Sequence, residues 1–265
     1  MIVIVTMLMT ALIVMALLMF ILWLIHLPLE NAGIVDVGWT FGVPLCALIF
    51  AVIAEGDITR RIVIVGMTAL WGARLGGYLL FRVLSHNEDA RYAQLRREWS
   101  GNIPFKFLGF FELQALLAVV FALPALFASL NSAPRLSWLE YLGILLWIGA
   151  VAGEGLADWQ LKGFRADPAN RGKLCRVGLW NYSRHPNYFF EFLVWVAFAV
   201  FALASPWGWI TLICPLLMLF FLFKVTGIPA TEAQALRSKG ETYRQYQHTT
   251  SAFIPWFPKK GDTHE

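Results

Sequence analysis

Charge is scarce in this chain: 14% of its 265 residues are Asp, Glu, Lys or Arg, against 58% hydrophobic, and the mean hydropathy is +0.63. Soluble domains carry roughly 25% charged residues, so this composition excludes one and makes lipid the solvent for most of the chain. Cysteine is scarce too. Of the three, Cys46 and Cys214 fall inside apolar runs and Cys175 stands alone in a polar stretch, so neither a disulfide framework nor a metal site is expected. A Gly-rich dinucleotide fingerprint is missing, which excludes a Rossmann domain as a nucleotide site. No composition break, linker or low-complexity tract divides residues 1–265, so one domain is expected. The stretch 1–27 has no basic leader and no small-residue cleavage site, and its apolar run is too long for a signal peptide; it reads as a retained first helix. Repeated helices are not visible either, which argues against a repeat-built transporter. The net charge of +4 and pI near 9.0 do not imply nucleic acid, because the basic residues sit in loops between apolar runs.

What is there is a succession of apolar runs. A spanning helix needs about 20 mainly apolar residues, since the lipid core offers no water to backbone groups. Seven runs meet this approximately, at 3–27, 39–54, 62–81, 107–130, 138–161, 188–204 and 209–224. The second is short and holds Pro44; the last two are parted only by Ser205-Pro206-Trp207-Gly208, so six is the alternative count. The expected fold is an all-α membrane bundle. Basic residues concentrate in the loops 83–106 and 162–187 and in the tail, whereas the opposite loops hold only Arg60, Arg61 and Arg135. Basic excess marks the cytoplasmic side, which puts the amino terminus outside and the carboxyl terminus inside. The long loops share that inner side and suggest a site built there.

A charge inside a spanning helix costs about 2.5–3.5 kcal/mol, so each needs a partner or a function. Arg74, Glu112, Glu154, Asp158 and Glu191 qualify. Glu154, Asp158, Lys162 and Arg165 form one helical stripe, and Asn187 and Glu191 repeat its spacing at the start of the next helix. A set of buried ion pairs that merely fixes packing has the same pattern. Glu112 reads as interfacial, and the GxxxG step of Gly149 and Gly153 as close helix packing. Three inner patches could carry chemistry: Asp36-Val37-Gly38-Trp39, the cluster from His86 to Tyr92, and 181–188. In the last, Pro186 opens a helix while Tyr182, Arg184, His185, Asn187 and Tyr188 surround its amino terminus, where backbone groups and dipole favour phosphate.

At this last patch the sequence becomes recognisable. The run "GLWNYSRHPNYFFEFLVW" at 178–195 and "GIPATEAQALRSKGETYRQYQHTTSAFIPWFP" at 227–258 resemble the steroid 5-alpha-reductase-like membrane family, in its bacterial branch. Further matches are "DVGWTFG" at 36–42, "LWGARLGGYLLFR" at 70–82, "EDARYAQLRREW" at 88–99 and "ADWQLKGFR" at 157–165. The resemblance implies a seven-helix bundle in the bacterial inner membrane whose inner half encloses NADPH and whose lipid-facing half admits a lipophilic enone. The implied reaction is conjugate reduction: hydride reaches the beta carbon, a donor stabilises the enolate oxygen, and a proton arrives at the alpha carbon.

By position, the resemblance makes Asp158, Arg165 and Asn187 cofactor-binding residues, with Tyr182, Arg184, His185, Glu191, Tyr243 and Tyr246 around the same pocket. Asp36, Arg74 and Tyr92 are the candidates for the catalytic contact, and which of them supplies it stays open. The family draws a Glu and a Tyr from its second and third helices; here those neighbourhoods offer Asp36 and Trp71, and an indole cannot relay a proton as a phenol does. Phe190 stands where relatives have Gly. The expected partners are a lipophilic small molecule and the bilayer, with no nucleic acid and no obligate protein partner. The alternative enzyme is a lipid or prenylcysteine methyltransferase using S-adenosylmethionine, which shares the "RHP" run and would use Glu232. The inner arginines suit a phosphate-rich cofactor better.

Overall fold

The computed structural model describes residues 1–225 and 227–259, and among them every regular element is helical. The apolar runs become α1 (Ile2–Leu29), α2 (Ile34–Ile53), α3 (Ile58–Ser85), α5 (Ile103–Phe121) with α6 (Leu123–Leu130), α7 (Trp138–Ala166), α8 (Pro186–Ala202) and α9 (Ile213–Phe220). The polar helices α4 (Ala90–Glu98) and α10 (Ile228–Thr249) lie outside those runs. Among the described residues six helical stretches are long and apolar enough to cross a membrane, and Pro186–Ala202 is a shorter apolar helix where the sixth span was expected. The chain is an all-helical integral membrane protein.

Two expected spans are broken, the first of them by a proline. The fourth divides after Phe121 because Pro124 sits in the first turn of α6, lacking an N–H and crowding the preceding turn. The last is a 3₁₀ segment Gly208–Leu212, then α9, then a π-helical turn Phe221–Val225. The second helix begins earlier than its apolar run suggests, at Ile34, so Asp36 lies inside its first turn rather than ahead of it.

The chain forms two compact units: Met1–Tyr141 with Phe198–Thr211, and Leu142–Ala197 with Leu212–Glu265. In the first unit α2 is the central helix, packed by α1, α3, α5 and α6. Close approach is permitted by small residues. A Cβ on Gly38 or Gly42 of α2 would overlap Leu22, Met19 or Met15 of α1, and one on Gly72 or Gly76 of α3 would overlap Pro44 or Phe41 of α2. Glycines four apart thus let backbones approach on both sides of α2, which is how helices gain dispersion contacts in lipid. On α1 only the stripe Met7, Ala11, Met15, Met19, Trp23 and His26 is buried, while the rest of its surface is half-buried or exposed and almost wholly apolar. A helix apolar all round is built to face hydrocarbon.

At one end of this unit, Arg60 and Glu140 are buried together, 1% and 0% exposed. The guanidinium bonds Glu140 and the carbonyls of Ala133 and Arg135, and Glu140 accepts the Ser137 N–H at 2.6 Å. This saturated pair ties the start of α3 to the start of α7. The connections 30–33 and 86–102 lie at the other end, where the polar network described next is found.

Candidate functional site

Asp89 caps α4 by accepting the Arg91 N–H at 2.9 Å, which fixes the direction in which that short helix leaves α3. Tyr92, in its first turn, is therefore turned inward and is 4% exposed. Its phenol donates to Asp36 Oδ1 at 2.6 Å, and Arg91 Nη2 donates to Asp36 Oδ2 at 3.2 Å. Arg82, in the last turn of α3, lies 3.1 Å from Asp89 and 4.0 Å from Asp36. Two carboxylates and two guanidinium groups thus surround one buried phenol. Burial pushes the Tyr92 phenol well above its ordinary pKa, and the Asp36 charge adds to the effect. Burial alone would raise Asp89 as well, but the hydrogen bonds and charge of Arg91, with Arg82, hold it below the usual carboxylate range. This arrangement can donate a proton or hydrogen bond from the phenol while keeping neighbouring negative charge compensated.

Beside it the chain turn before α2 is fastened by Asn31, whose amide donates to the Val83 carbonyl at 3.2 Å, and by Glu88, which accepts the Ala32 N–H at 2.9 Å. The loop 86–89 is accordingly a bracket for the α2 amino terminus and not only a solvated stretch. Of the three expected catalytic residues, the structure joins Asp36 and Tyr92. Arg74 is half-buried on α3, eight residues before Arg82 and so about 12 Å away along the helix axis. Asp89 and Arg91 fall within the expected patch from His86 to Tyr92 but sequence gives them no roles of their own, and Arg82 reads only as a basic loop residue; the Asp89-x-Arg91 cap is the signal that could have assigned the first two.

In the second unit, the patch 181–188 closes against the tail. Arg184 N donates to the Ser251 carbonyl at 2.8 Å, Trp256 N to the Tyr182 carbonyl at 2.9 Å, and Ser183 Oγ to the Phe253 carbonyl at 2.8 Å. The Arg184 side chain bonds Glu232 at 2.7 Å and the carbonyls of Gln247 and Thr250. His185 Nε2 lies 3.2 Å from the same Glu232 oxygen, and Gln247 donates to its other oxygen at 2.7 Å. Glu232 lies in polar α10, beyond the last apolar run. Burial alone would raise its pKa, but the bonds from His185, Arg184 and Gln247 hold it down at about 2. Tyr243 is pushed up to about 12 by burial and by the Glu232 charge. The buried Tyr246 hydroxyl bonds the carbonyls of Trp180 and Ser183. The His185 ring stacks on Tyr188 with centroids 5.3 Å apart.

The expected cofactor residues thus separate by what already occupies them. Arg184, His185 and Tyr246 are bonded within the protein and shape the unit. Glu191 is half-buried and accepts the Trp195 indole N–H at 2.9 Å. Tyr182 is 38% exposed, with Phe257 edge-on to its ring. Asp158 and Arg165 are exposed on the last turns of α7, and Asn187 is half-buried in the first turn of α8. Phe190 packs on Gly153, whose missing side chain is the space that its ring fills; Gly149 meets nothing comparable. Among the described residues, no group of three His, Cys, Asp or Glu side chains is arranged to hold a metal ion.

Residues 22–250 match the family described as "Protein of unknown function (DUF1295)". The chain belongs to that family. It is related to the steroid 5-alpha-reductase-like membrane proteins. No curated protein and no solved structure matches the chain. The matched stretch covers both polar clusters of this chain, from Asp36 through Tyr246.

Proposed function

We propose that the protein is an NADPH-dependent membrane oxidoreductase that reduces the carbon–carbon double bond of a lipophilic enone. The observation that carries this reading is the Asp36–Tyr92 hydrogen bond. An enone reductase needs a donor for the oxygen on which negative charge develops. Near the start of α2, where the family draws on its third helix, Trp71 stands without a hydroxyl, and Tyr92 brings a buried phenol from α4 instead. A carbonyl oxygen taking the place of Asp36 as acceptor would receive the same O–H, with Arg91 and Arg82 beside it to compensate the developing charge.

The chemistry of the donor set in the second unit suits a phosphate-rich nucleotide. Arg165, Arg171 and Lys173 are exposed there, and the Asn187 amide lies at a helix amino terminus. In this reading Arg165 and Asn187 hold the cofactor with Asp158, while Arg184, His185, Tyr243 and Tyr246 keep the surrounding loops in place, with Tyr182 and Glu191 at their margin. Bound NADPH would supply the hydride. In this reading the chemistry faces the cytoplasmic side of a bacterial inner membrane with the amino terminus outside, the orientation that the excess of basic residues in the long loops favours.

A second reading has its own observation. Glu232 is held by Arg184 and His185 of the "RHP" run, the pairing expected if the chain were instead a methyltransferase using S-adenosylmethionine. Thermal unfolding of the detergent-purified chain with NADPH, NADH and S-adenosylmethionine separates the two, because a ligand of the native state raises its stability. The reductase reading expects stabilisation by NADPH and enone-dependent oxidation of it. Stabilisation by S-adenosylmethionine alone would replace it with the second reading, and no response to any of the three would remove both.

A further inference from the structure

Where the apolar run of α1 ends and α5 begins, the first unit holds a cavity of about 460 Å³ lined by His26, Leu27, Glu30, Glu88, Arg96 and Pro104. Ligand pockets span roughly 300–1,000 Å³, so this one has room for a small polar group. His26 is 1% exposed, packed by Phe107 and Phe111. Its Nδ1 faces the Trp23 carbonyl. A carbonyl can only accept, so Nδ1 carries the ring proton, and a neutral ring then has Nε2 as an acceptor. Among the described residues Nε2 has no hydrogen-bond partner, and it stays open to the cavity that His26 lines.

The rest of the lining sets the chemistry. Glu30 is exposed, and Glu88, whose side chain is 13% exposed, accepts from Ala32 and Arg96. A carboxylate has about four acceptor positions, so Glu88 retains capacity. Three acceptors, His26 Nε2 and two carboxylates, therefore line a space whose one cation is Arg96. Arg96 reaches Glu88 through Nη2 at 2.9 Å and Nε at 3.3 Å, and its Nη1 makes no bond among the described residues. The complementary group is a primary ammonium, with three N–H donors, joined to an anion for Arg96. A trimethylammonium has the charge but no donor.

Location supplies the remainder. The cavity lies at the boundary between apolar and polar sequence, with Trp23 bonded to the Pro104 carbonyl at 2.9 Å, as expected of an indole at the membrane interface. The apolar side chains Leu24, Leu27 and Phe105, 46%, 40% and 63% exposed, adjoin it in sequence and offer a surface for acyl chains. We propose that this cavity binds the headgroup of one aminophospholipid, phosphatidylethanolamine in type. Its ammonium is taken by His26, Glu30 and Glu88 and its phosphate by Arg96. This site does not depend on the reductase reading.

The test is a lipid titration of the detergent-purified full chain, with phosphatidylethanolamine, phosphatidylcholine and phosphatidylglycerol of identical acyl chains, reading apparent melting temperature. Phosphatidylethanolamine is expected to stabilise most. Glu30→Gln keeps an exposed side chain of the same size, so folding is preserved, and it should weaken that lipid about tenfold, the scale of one charge-assisted hydrogen bond. His26→Phe should remove the discrimination against phosphatidylcholine. Equal stabilisation by phosphatidylethanolamine and phosphatidylcholine, a preference for phosphatidylglycerol, or unchanged affinity in Glu30→Gln overturns the proposal.

Discussion

The Tyr92 hydroxyl donates to Asp36 Oδ1 at 2.6 Å across 56 residues of chain, joining a helix that the membrane pattern leaves out to the first turn of one that it includes. Tyr92→Phe keeps the ring against Phe110 and deletes only the O–H. Arg91 still serves Asp36, so the stability loss should be near the low end of an unpaired buried acceptor, about 1 kcal/mol. If the phenol is the donor to an enolate oxygen, turnover falls roughly 10²- to 10³-fold, the usual effect of removing one such donor. Nucleotide-induced stabilisation should not change. Steady-state rates and melting shifts on the same preparation check both, and full activity in Tyr92→Phe removes the phenol from the mechanism.

Glu232 gives the second unit a dependence on acid. Its pKa is about 2 in the folded chain against 4.5 ordinarily, so the folded state binds its proton less readily than the unfolded state. A depressed carboxylate contributes stability that is complete above the unfolded value and is lost as pH falls from about 4.5 toward 2. The amount is on the order of 3 kcal/mol. Melting temperatures measured downward from neutral pH should fall over that window in the wild type, and Glu232→Gln should start lower and change less. Parallel curves for the two would show that other carboxylates govern acid unfolding.

Arg60 and Glu140 answer a different question, since they contain no feature of the proposed chemistry. Arg60→Ala leaves a fully buried carboxylate and two carbonyls without their donor, and breaking a buried pair in this way costs about 3–5 kcal/mol. The melting temperature should drop sharply, and if NADPH binds as proposed the surviving folded protein should keep that response. A loss below about 1 kcal/mol would mean that water enters to replace the guanidinium.

The spans were legible because hydrophobic length is a local property, and so was the last-patch cluster, whose residues are adjacent in sequence. Three things were not. Pro124 breaks the fourth run without interrupting its hydropathy, so a sliding window reads through it. Gly38 and Gly42, and Gly72 and Gly76, carry the same spacing as Gly149 and Gly153, yet only the contacts show that both glycines of the first two steps seat a neighbouring helix whereas in the third Gly153 alone does, against Phe190. The Asp36–Tyr92 pair depends on the direction of α4, which the Asp89 cap sets and no periodicity encodes.

Phe190 and Gly153 form a pair that can be tested in both directions. A Cβ at Gly153 would overlap the Phe190 ring, so Gly153→Ala must displace an aromatic side chain from a close fit. Overpacking of this kind costs about 1–3 kcal/mol. Phe190→Ala alone leaves a void over the glycine and costs about 3–5 kcal/mol if the ring is well packed, less here because it is only half-buried. In the double variant the new methyl occupies part of the space that the ring vacated, so the combined loss should be smaller than the sum by at least about 0.5 kcal/mol. Thermal unfolding of the four proteins closes the cycle. Strict additivity would mean that α7 moves to accept the methyl, and the glycine would then serve helix propensity poorly without serving the packing of Phe190.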